Sequence, residues 1–211
     1  MSGILSGRAA KPVVFTLALC PLLWLIWLAF SGGAGVNPIE FINRYLGDWA
    51  MRMLLITLAL TPLRLLTGRG EVLRYRRMLG LFAFSYAVLH INSYVILDHF
   101  FNWTEIGKDI VKRNYITVGM IALTLLIPLA VTSTNKMVKR LGGRAWTRLH
   151  RLVYVIGGLV IVHFYMMVKA DVREPLAYGA ILALLLLVRL AFALKRRLRQ
   201  RQPKAAVLSS R

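Results

Sequence analysis

Six long apolar runs alternate with short polar segments along this chain. Each run has about 17 to 20 residues, close to the ~20 that an α-helix needs to cross a bilayer. Only helices and closed barrels satisfy their backbone hydrogen bonds in lipid, and these runs lack the alternation of barrel strands. The pattern predicts an all-α, polytopic membrane protein, a six-transmembrane-helix bundle in one domain over residues 1–211. The predicted helices lie at about 13–30, 50–66, 78–97, 115–132, 152–168 and 175–194.

The composition agrees with a membrane protein and limits its chemistry. Hydrophobic residues make up 58% of the chain, whereas a soluble domain has about 45–50%. The single cysteine, Cys20, lies inside the first run, so there is no disulfide framework and no C-x-x-C-H haem attachment site. Any haem would be held non-covalently. The net charge of +20 would suit nucleic acid, but the basic residues cluster between apolar runs, so we expect no nucleic-acid partner.

Basic residues are distributed unequally between the two sides of the predicted bundle. With the N-terminus in the cytoplasm, 21 of the 28 lysines and arginines lie in cytoplasmic segments. Such a bias sets the orientation of a membrane protein, so both termini are predicted to be cytoplasmic. Residues 195–211 are expected to form a basic cytoplasmic tail on anionic lipid. Segment 98–114, on the outer side, is predicted to hold a short interfacial helix.

Two histidines lie at matching depths in the predicted bundle. His90 and His163 lie equally far into the third and fifth helices, counted from Met78 and Arg151, and both helices run outwards. Their imidazoles would therefore lie roughly 18 Å from the inner edge. Equal depth suits two axial ligands of one haem b held between neighbouring helices. The alternatives are structural histidines bonded inside the core, or zinc, which is weaker because a structural zinc needs four ligands.

A third histidine, His150, lies at the inner edge and would serve a second haem nearer the cytoplasm. Its partner stays open, because the start of the third helix offers Arg76, Arg77 and Met78 but no histidine. Methionine is an ordinary haem ligand, and an arginine can hold a haem propionate. Arg77, Arg148 and Arg151 are propionate candidates, although all these side chains could simply anchor the inner surface.

The placement of His150 and His163 on one helix raises a geometric difficulty. Thirteen residues at 100° each leave the two side chains about 140° apart on an ideal helix. They would not face the same partner helix. A bend or π-bulge at Gly157 and Gly158, midway between them, would realign the two imidazoles, and we take this distortion as a hypothesis.

Five stretches of the chain resemble a known family. They are GGAGVNP, TPL at 61–63, RRMLGLFAFSYAVLHINSY at 76–94, TSTNK at 132–136 and WTRLHRLVY at 146–154. The family is MsrQ, the haem-binding membrane subunits of bacterial protein-methionine-sulfoxide reductase systems, within the ferric-reductase-like transmembrane superfamily. The resemblance implies b-type haem with His90, His150 and His163 as ligands. It also implies FMN, for which the sequence has no motif.

The resemblance further implies a location and a partner. The location is the bacterial inner membrane, and the partner is a periplasmic molybdopterin-containing catalytic subunit that receives electrons from the quinone pool. The wider superfamily has four ligand histidines, two of them in the third helix and separated by several turns. Counted back from His90, the earlier of these two positions is occupied by Arg76. This departure leaves the second ligand of an inner haem undetermined.

The predicted function is that of an electron-transfer subunit. The chain has no room for a dehydrogenase domain, so the reductant must be a quinol or a separate cytoplasmic protein. It has no residue set for sulfoxide chemistry, so catalysis on the substrate is expected on the partner. Two alternatives remain: a stand-alone haem-containing ferric or other metal reductase, and a non-redox membrane transporter or assembly factor.

Overall fold

The computed structural model describes residues 10–168 and 170–201, and all regular structure in this part of the chain is helical. Nine α-helices fall within these residues, with a 3₁₀ turn over Gly70–Tyr75 before α3 and a π turn over Tyr94–Asp98 after it. The α-helices are α1 Ala10–Phe30, α2 Pro38–Thr67, α3 Arg76–Ser93, α4 Trp103–Lys112, α5 Asn114–Val131, α6 Asn135–Leu141, α7 Gly143–His150, α8 Leu152–Met167 and α9 Arg173–Arg201.

Six segments among residues 10–168 and 170–201 are long and apolar enough to cross a membrane. They are α1, α2, α3 with its flanking turns, α5, α7 continued by α8, and α9. This result confirms the predicted all-α bundle of six spans. Successive spans run in opposite directions, so the bundle has a basic end, formed by the segments around 64–77, 132–151 and 189–201. The opposite end holds the acidic segments around 37–48, 98–109 and 171–174.

The second span starts much earlier than its apolar run predicted. α2 begins at Pro38 rather than near residue 50. The side chain of Asn37 accepts a hydrogen bond from the Glu40 backbone N–H, and proline suits the first position of a helix. Polar residues in the first three turns interrupt the apolar pattern without interrupting the helix. α2 ends at Thr67, and Gly68, with a φ of 72°, caps its last turn.

Short helices fill the connections between the spans. The helix predicted within 98–114 is confirmed as α4, with Asn102 as its N-cap. The run pattern did not predict α6 and α7 at the basic end. α9 continues through residues 195–201, so the predicted tail begins as helix, and its remainder, 202–211, lies outside the described residues.

The helix that contains His150 and His163 is interrupted, but not at the glycine pair. The π-bulge hypothesised at Gly157 and Gly158 is wrong, because α8 is α-helical throughout Leu152–Met167. The interruption falls at Arg151, between α7 and α8, where the Arg151 N–H bonds the Arg148 carbonyl and the Tyr154 N–H bonds the Arg151 carbonyl. These tighter i→i+3 bonds change the helix phase between His150 and His163.

The bundle is built from two packed helix pairs. α2 lies along α3, and α5 lies along α8, while α9 packs on α2 and α8. Pro62 in α2 lacks the N–H that would bond the Leu58 carbonyl. The Arg189 guanidinium of α9 donates to that carbonyl and also to the Tyr154 hydroxyl. A charged side chain inside the sixth span thus satisfies a backbone group that the proline leaves free.

Candidate functional site

A cavity of about 530 Å³ lies between the two helix pairs and contains both His90 and His163. Its wall towards the basic end is apolar and includes Leu54, Leu126 and Ile156. Its rim towards the acidic segments is charged. The charged rim residues are Glu40, Arg44, Asp48, Asp98 and Arg113. The cavity can therefore take a large flat molecule with one apolar edge and one polar edge.

His90, on α3, is held by the neighbouring helix α2. Its Nδ1 lies 2.9 Å from the Asn43 backbone oxygen. A carbonyl can only accept, so Nδ1 carries the proton and Nε2 keeps a free lone pair. The Asn43 side chain donates to the Ser93 hydroxyl at 3.0 Å, which fixes α2 against α3 beside the histidine. One turn further along α2, a Cβ added at Gly47 would lie 3.2 Å from the His90 ring.

His163, on α8, is held by α5 in the same way. Its Nδ1 lies 2.6 Å from the Tyr115 backbone oxygen, so this imidazole also presents a free Nε2. A Cβ added at Gly119 would lie 2.9 Å from the ring. In both pairs, a helix carbonyl accepts the Nδ1 proton, and a glycine one turn later makes room for the ring. The histidine sites are thus local copies of one arrangement.

The two imidazole rings are separated by the distance expected for two ligands of one metal, with 73° between their planes. Their ring centroids are 6.4 Å apart. An imidazole nitrogen binds a metal such as zinc at about 2.0–2.1 Å, so two opposed rings on one ion have centres roughly 6.4 Å apart. Within residues 10–168 and 170–201, no three His, Cys, Asp or Glu side chains could hold an ion together. The residues therefore fit a metal whose remaining ligands come from a cofactor, such as a porphyrin.

The space that Gly47 and Gly119 leave beside the two imidazole rings gives a direct test of this geometry. Gly119→Ala is expected to lower the midpoint of thermal unfolding in detergent by several degrees, because the new methyl meets the His163 ring at 2.9 Å and overpacking costs about 1–3 kcal/mol. Gly47→Ala should have a smaller effect, since its contact is 3.2 Å. Gly158→Ala, with nothing within 4 Å of the added Cβ, is the control and should not destabilise. Equal midpoints for all three would contradict the close packing.

His150 has a different environment from the other two histidines. Its ring stacks on Trp146 with centroids 3.9 Å apart, and its Nε2 lies 3.1 Å from the Thr132 hydroxyl oxygen. That hydroxyl donates to the Pro128 carbonyl, so it accepts from His150 and the proton lies on Nε2. Trp146 donates to the Thr132 carbonyl. The nitrogen that the other two histidines leave free is therefore occupied in His150.

The other candidate residues at the basic end fall into two groups. The charges of Arg76 and Arg77 act on the His150 imidazole, and Arg77 also donates to the Asn135 side chain. Met78 instead lines an apolar groove between α1 and α3, beside Phe15 and Leu19. The structure thus brings the two arginines, and not Met78, to His150. Arg148 and Arg151 are exposed on this surface.

Sequence reasoning missed several residues around the cavity. Gly119 stood in a predicted helix, where an isolated glycine often marks a close approach, whereas Gly47 stood before the predicted start of the second helix and lies inside α2 in the structure. Asp48 and Arg52 are charged residues inside a span, a signal of function in a membrane protein. Arg189 was counted as part of the basic surface, although it lies within an apolar run and bonds a backbone carbonyl on α2.

Comparisons with known proteins gave matches over most of the chain. The profile of the family "Ferric reductase like transmembrane component" matches residues 46–162. The chain is 54% identical over 196 residues to the MsrQ haem-binding subunit of a protein-methionine-sulfoxide reductase from Rhodospirillum rubrum, across 93% of this chain and 94% of the relative. Proteins of the same name from Herminiimonas arsenicoxydans and Caulobacter vibrioides are 52% and 49% identical, across 89% and 84% of this chain and 87% and 84% of theirs.

Proposed function

Since this chain belongs to the MsrQ family of ferric-reductase-like transmembrane proteins, we propose that it holds haem b and carries electrons to a separate methionine-sulfoxide reductase subunit. The observation that carries the proposal is the pairing of His90 and His163. Their rings are 6.4 Å apart in one cavity, and each presents a free Nε2. Haem bound there would supply a one-electron couple. With both axial positions of the iron taken by nitrogen ligands, such a haem suits electron transfer rather than substrate binding.

The residues around the cavity would orient that haem. The apolar wall towards the basic end suits the porphyrin edge that bears no charge. Arg44 and Arg113 are the cationic side chains on the opposite rim among the cavity residues, so they would hold the propionates. The carbonyls of Asn43 and Tyr115 keep each imidazole in the ligating tautomer and raise its basicity. Carbonyl-bonded imidazoles favour the ferric state, because they donate more strongly to the metal.

A second haem is proposed at the basic end, on His150. Arg76 and Arg77 lie close enough for their charges to act on this imidazole, and either could serve a propionate or the iron. Arg148 and Arg151 extend the same basic surface. Ligation through Nε2 would require His150 to leave the Thr132 hydroxyl, so we expect this site to hold its haem weakly. FMN has no part in the proposal.

The electron donor and acceptor lie outside the chain. A quinol or a cytoplasmic reductant would deliver electrons, and a periplasmic molybdopterin-containing subunit would use them to reduce oxidised methionine. The bacterial inner membrane is the proposed location. A stand-alone ferric or metal reductase would use the same cavity with another acceptor, whereas a transporter or assembly factor would need no redox group.

The proposal is tested with the purified protein and a periplasmic methionine-sulfoxide reductase of the molybdopterin class. A b-type reduced-minus-oxidised spectrum is expected, and the reduced haem should be reoxidised only when that reductase and a methionine-sulfoxide substrate are both present. Ferric citrate in place of the reductase distinguishes the metal-reductase alternative. Absence of a haem spectrum would eliminate both redox functions.

The proposed direction of electron flow depends on orientation. Both termini are expected in the cytoplasm, because basic residues anchor the cytoplasmic side of membrane proteins and the basic end of the bundle contains the end of α9. A C-terminal alkaline phosphatase fusion should be inactive, and a C-terminal fluorescent-protein fusion should fluoresce. The opposite pattern would place the charged rim of the cavity on the cytoplasmic side and reverse the path.

A further inference from the structure

A charged pair on α2 lies beside the histidine cavity but takes no part in holding the histidines. Asp48 and Arg52 are one helical turn apart, with 3.8 Å between the Asp48 Oδ2 and the Arg52 Nη2. The Arg52 Nε donates to the Tyr178 hydroxyl of α9 at 2.9 Å. The Arg52 guanidinium also lies 5.2 Å from the centre of the Trp49 ring. Three hydrogen-bonding side chains from two helices therefore meet at one place.

This group lies about a third of the way along α2, a helix long and apolar enough to cross a membrane. Gly47, next to Asp48, is about 14 Å from the start of α2 and about 30 Å from its end. The side chains of Arg52 and Asp48 are nevertheless 35% and 30% exposed. Charged residues inside a membrane normally face a protein interior or a cavity, because lipid cannot pair them. Something with polar groups, and able to reach this depth, is needed to cover the pair.

The same group is continuous with the cavity wall. Asp48 lines the cavity, and the preceding Gly47 lies against the His90 ring. The Tyr178 ring is 6.3 Å from the ring of Phe164, which also lines the cavity and follows His163 in α8. A molecule bound at Asp48 and Tyr178 would thus lie against the wall that encloses both histidines, on the side of α9.

We propose that Asp48, Arg52 and Tyr178 bind the head group of a membrane quinol, and that electrons enter the protein there. This inference rests on the proposed function, since it needs haem at His90 and His163. A quinol combines the two required properties: its tail keeps it in lipid, and its ring carries two hydroxyl groups. A phospholipid head group belongs at the membrane surface, and α2 extends about 14 Å beyond this group on that side.

The hydrogen-bonding groups suit both redox forms of the ligand. The 3.8 Å separation from Arg52 is beyond hydrogen-bond distance, so the Asp48 carboxylate can accept from a quinol hydroxyl. The Tyr178 oxygen already accepts from Arg52, so the tyrosine's own proton can be donated to a quinone carbonyl. Glu174 and Arg44 are the other charged groups that act on Asp48.

The reaction balances with the haem as oxidant. One quinol gives up two electrons and two protons and becomes a quinone. Haem held by His90 and His163 would accept these electrons one at a time, and the partner subunit would take up the first before the second arrives. The first proton passes from a quinol hydroxyl to the Asp48 carboxylate. Asp48 then releases this proton to the charged rim and the water beyond it. The second quinol proton leaves by the same carboxylate.

The test compares two variants with a matched control, all carrying haem in lipid nanodiscs. Asp48→Asn should slow haem reduction by decylubiquinol at least tenfold, as expected for loss of a proton acceptor. Tyr178→Phe, which leaves the cavity wall intact, should slow it about threefold or more. Glu105→Gln, which removes an exposed salt-bridged acid from the same end of the bundle, should react at the wild-type rate. Dithionite should reduce all four proteins to the same extent.

A second readout does not depend on electron transfer. An azido-quinone photolabel should attach to peptides of α2 and α9 around residues 45–52 and 174–182, and Tyr178→Phe should weaken that labelling. If quinol reduces the wild type but both variants match its rate, or the label attaches at the basic end, this site is wrong while the proposed function stands. If dithionite but not quinol reduces the wild type, the quinol donor is itself wrong.

Discussion

Replacing either His90 or His163 with alanine is expected to remove one equivalent of haem from the purified protein. Each imidazole is proposed to supply one axial ligand, and their 6.4 Å ring separation leaves room for a single metal between them. Losing one ligand exposes the iron on that face and opens the cavity around it. Haem content by the pyridine haemochrome method and the α-band of the reduced spectrum measure the loss.

A matched histidine control separates ligation from general damage. His99→Ala removes an imidazole that lies 3.4 Å from the Asp109 carboxylate, at the acidic end of the bundle. His99 is not among the residues that line the cavity, so this variant should keep full haem and an unchanged spectrum. Full haem in both the His90 and His163 variants would show that the pairing is wrong.

The pairing could be predicted because it depends only on depth. The third and fifth spans run in the same direction, so counting residues from their inner ends placed His90 and His163 at one level. The structure places them in one cavity through α2 and α5, whose carbonyls at Asn43 and Tyr115 fix both rings. Periodicity cannot show which helix face meets which neighbour, so these partners could not be predicted.

The residues that sequence reasoning missed share a physical cause. Gly47 and Gly119 matter because of what lies opposite them, at 3.2 Å and 2.9 Å from an added Cβ. Hydropathy marks apolar runs and cannot register contacts between them. The same limit placed the start of α2 near residue 50, since the polar residues that follow Asn37 belong to the cavity rim and to packed helix faces.

The helix that contains His150 and His163 is interrupted at Arg151, and not by a π-bulge at Gly157 and Gly158. The angular mismatch on an ideal helix required a distortion between His150 and His163, and the glycine pair was the obvious position from sequence. Gly157 instead provides a close contact, with an added Cβ 3.4 Å from the Leu182 side chain. The interruption falls where α7 meets α8, at the basic surface, because a polar, water-accessible segment can leave helical geometry at lower cost than one in lipid.

His150→Ala is expected to remove the more weakly held haem and leave the His90–His163 haem spectrum intact. Wild-type preparations should contain between one and two haems per chain, because the inner histidine must exchange its Thr132 bond for the iron and has no second histidine at its level. The variant should contain one haem. Reduction of the His90–His163 haem by a cytoplasmic reductant, rather than by quinol at Asp48 and Tyr178, should also slow, since one tunnelling step of roughly 20 Å would replace two shorter steps.

Two further variants identify what stands opposite His150. Arg76 is favoured over Met78, since Met78 lines the groove between α1 and α3. Arg76→Ala should therefore lower the labile haem fraction by at least half, whereas Met78→Leu should leave it unchanged. The reverse result would make Met78 the ligand and require α3 to turn from its present packing. If His150→Ala keeps both the wild-type haem content and the wild-type reduction rate, the protein has one haem and His150 is a structural residue held by Trp146 and Thr132.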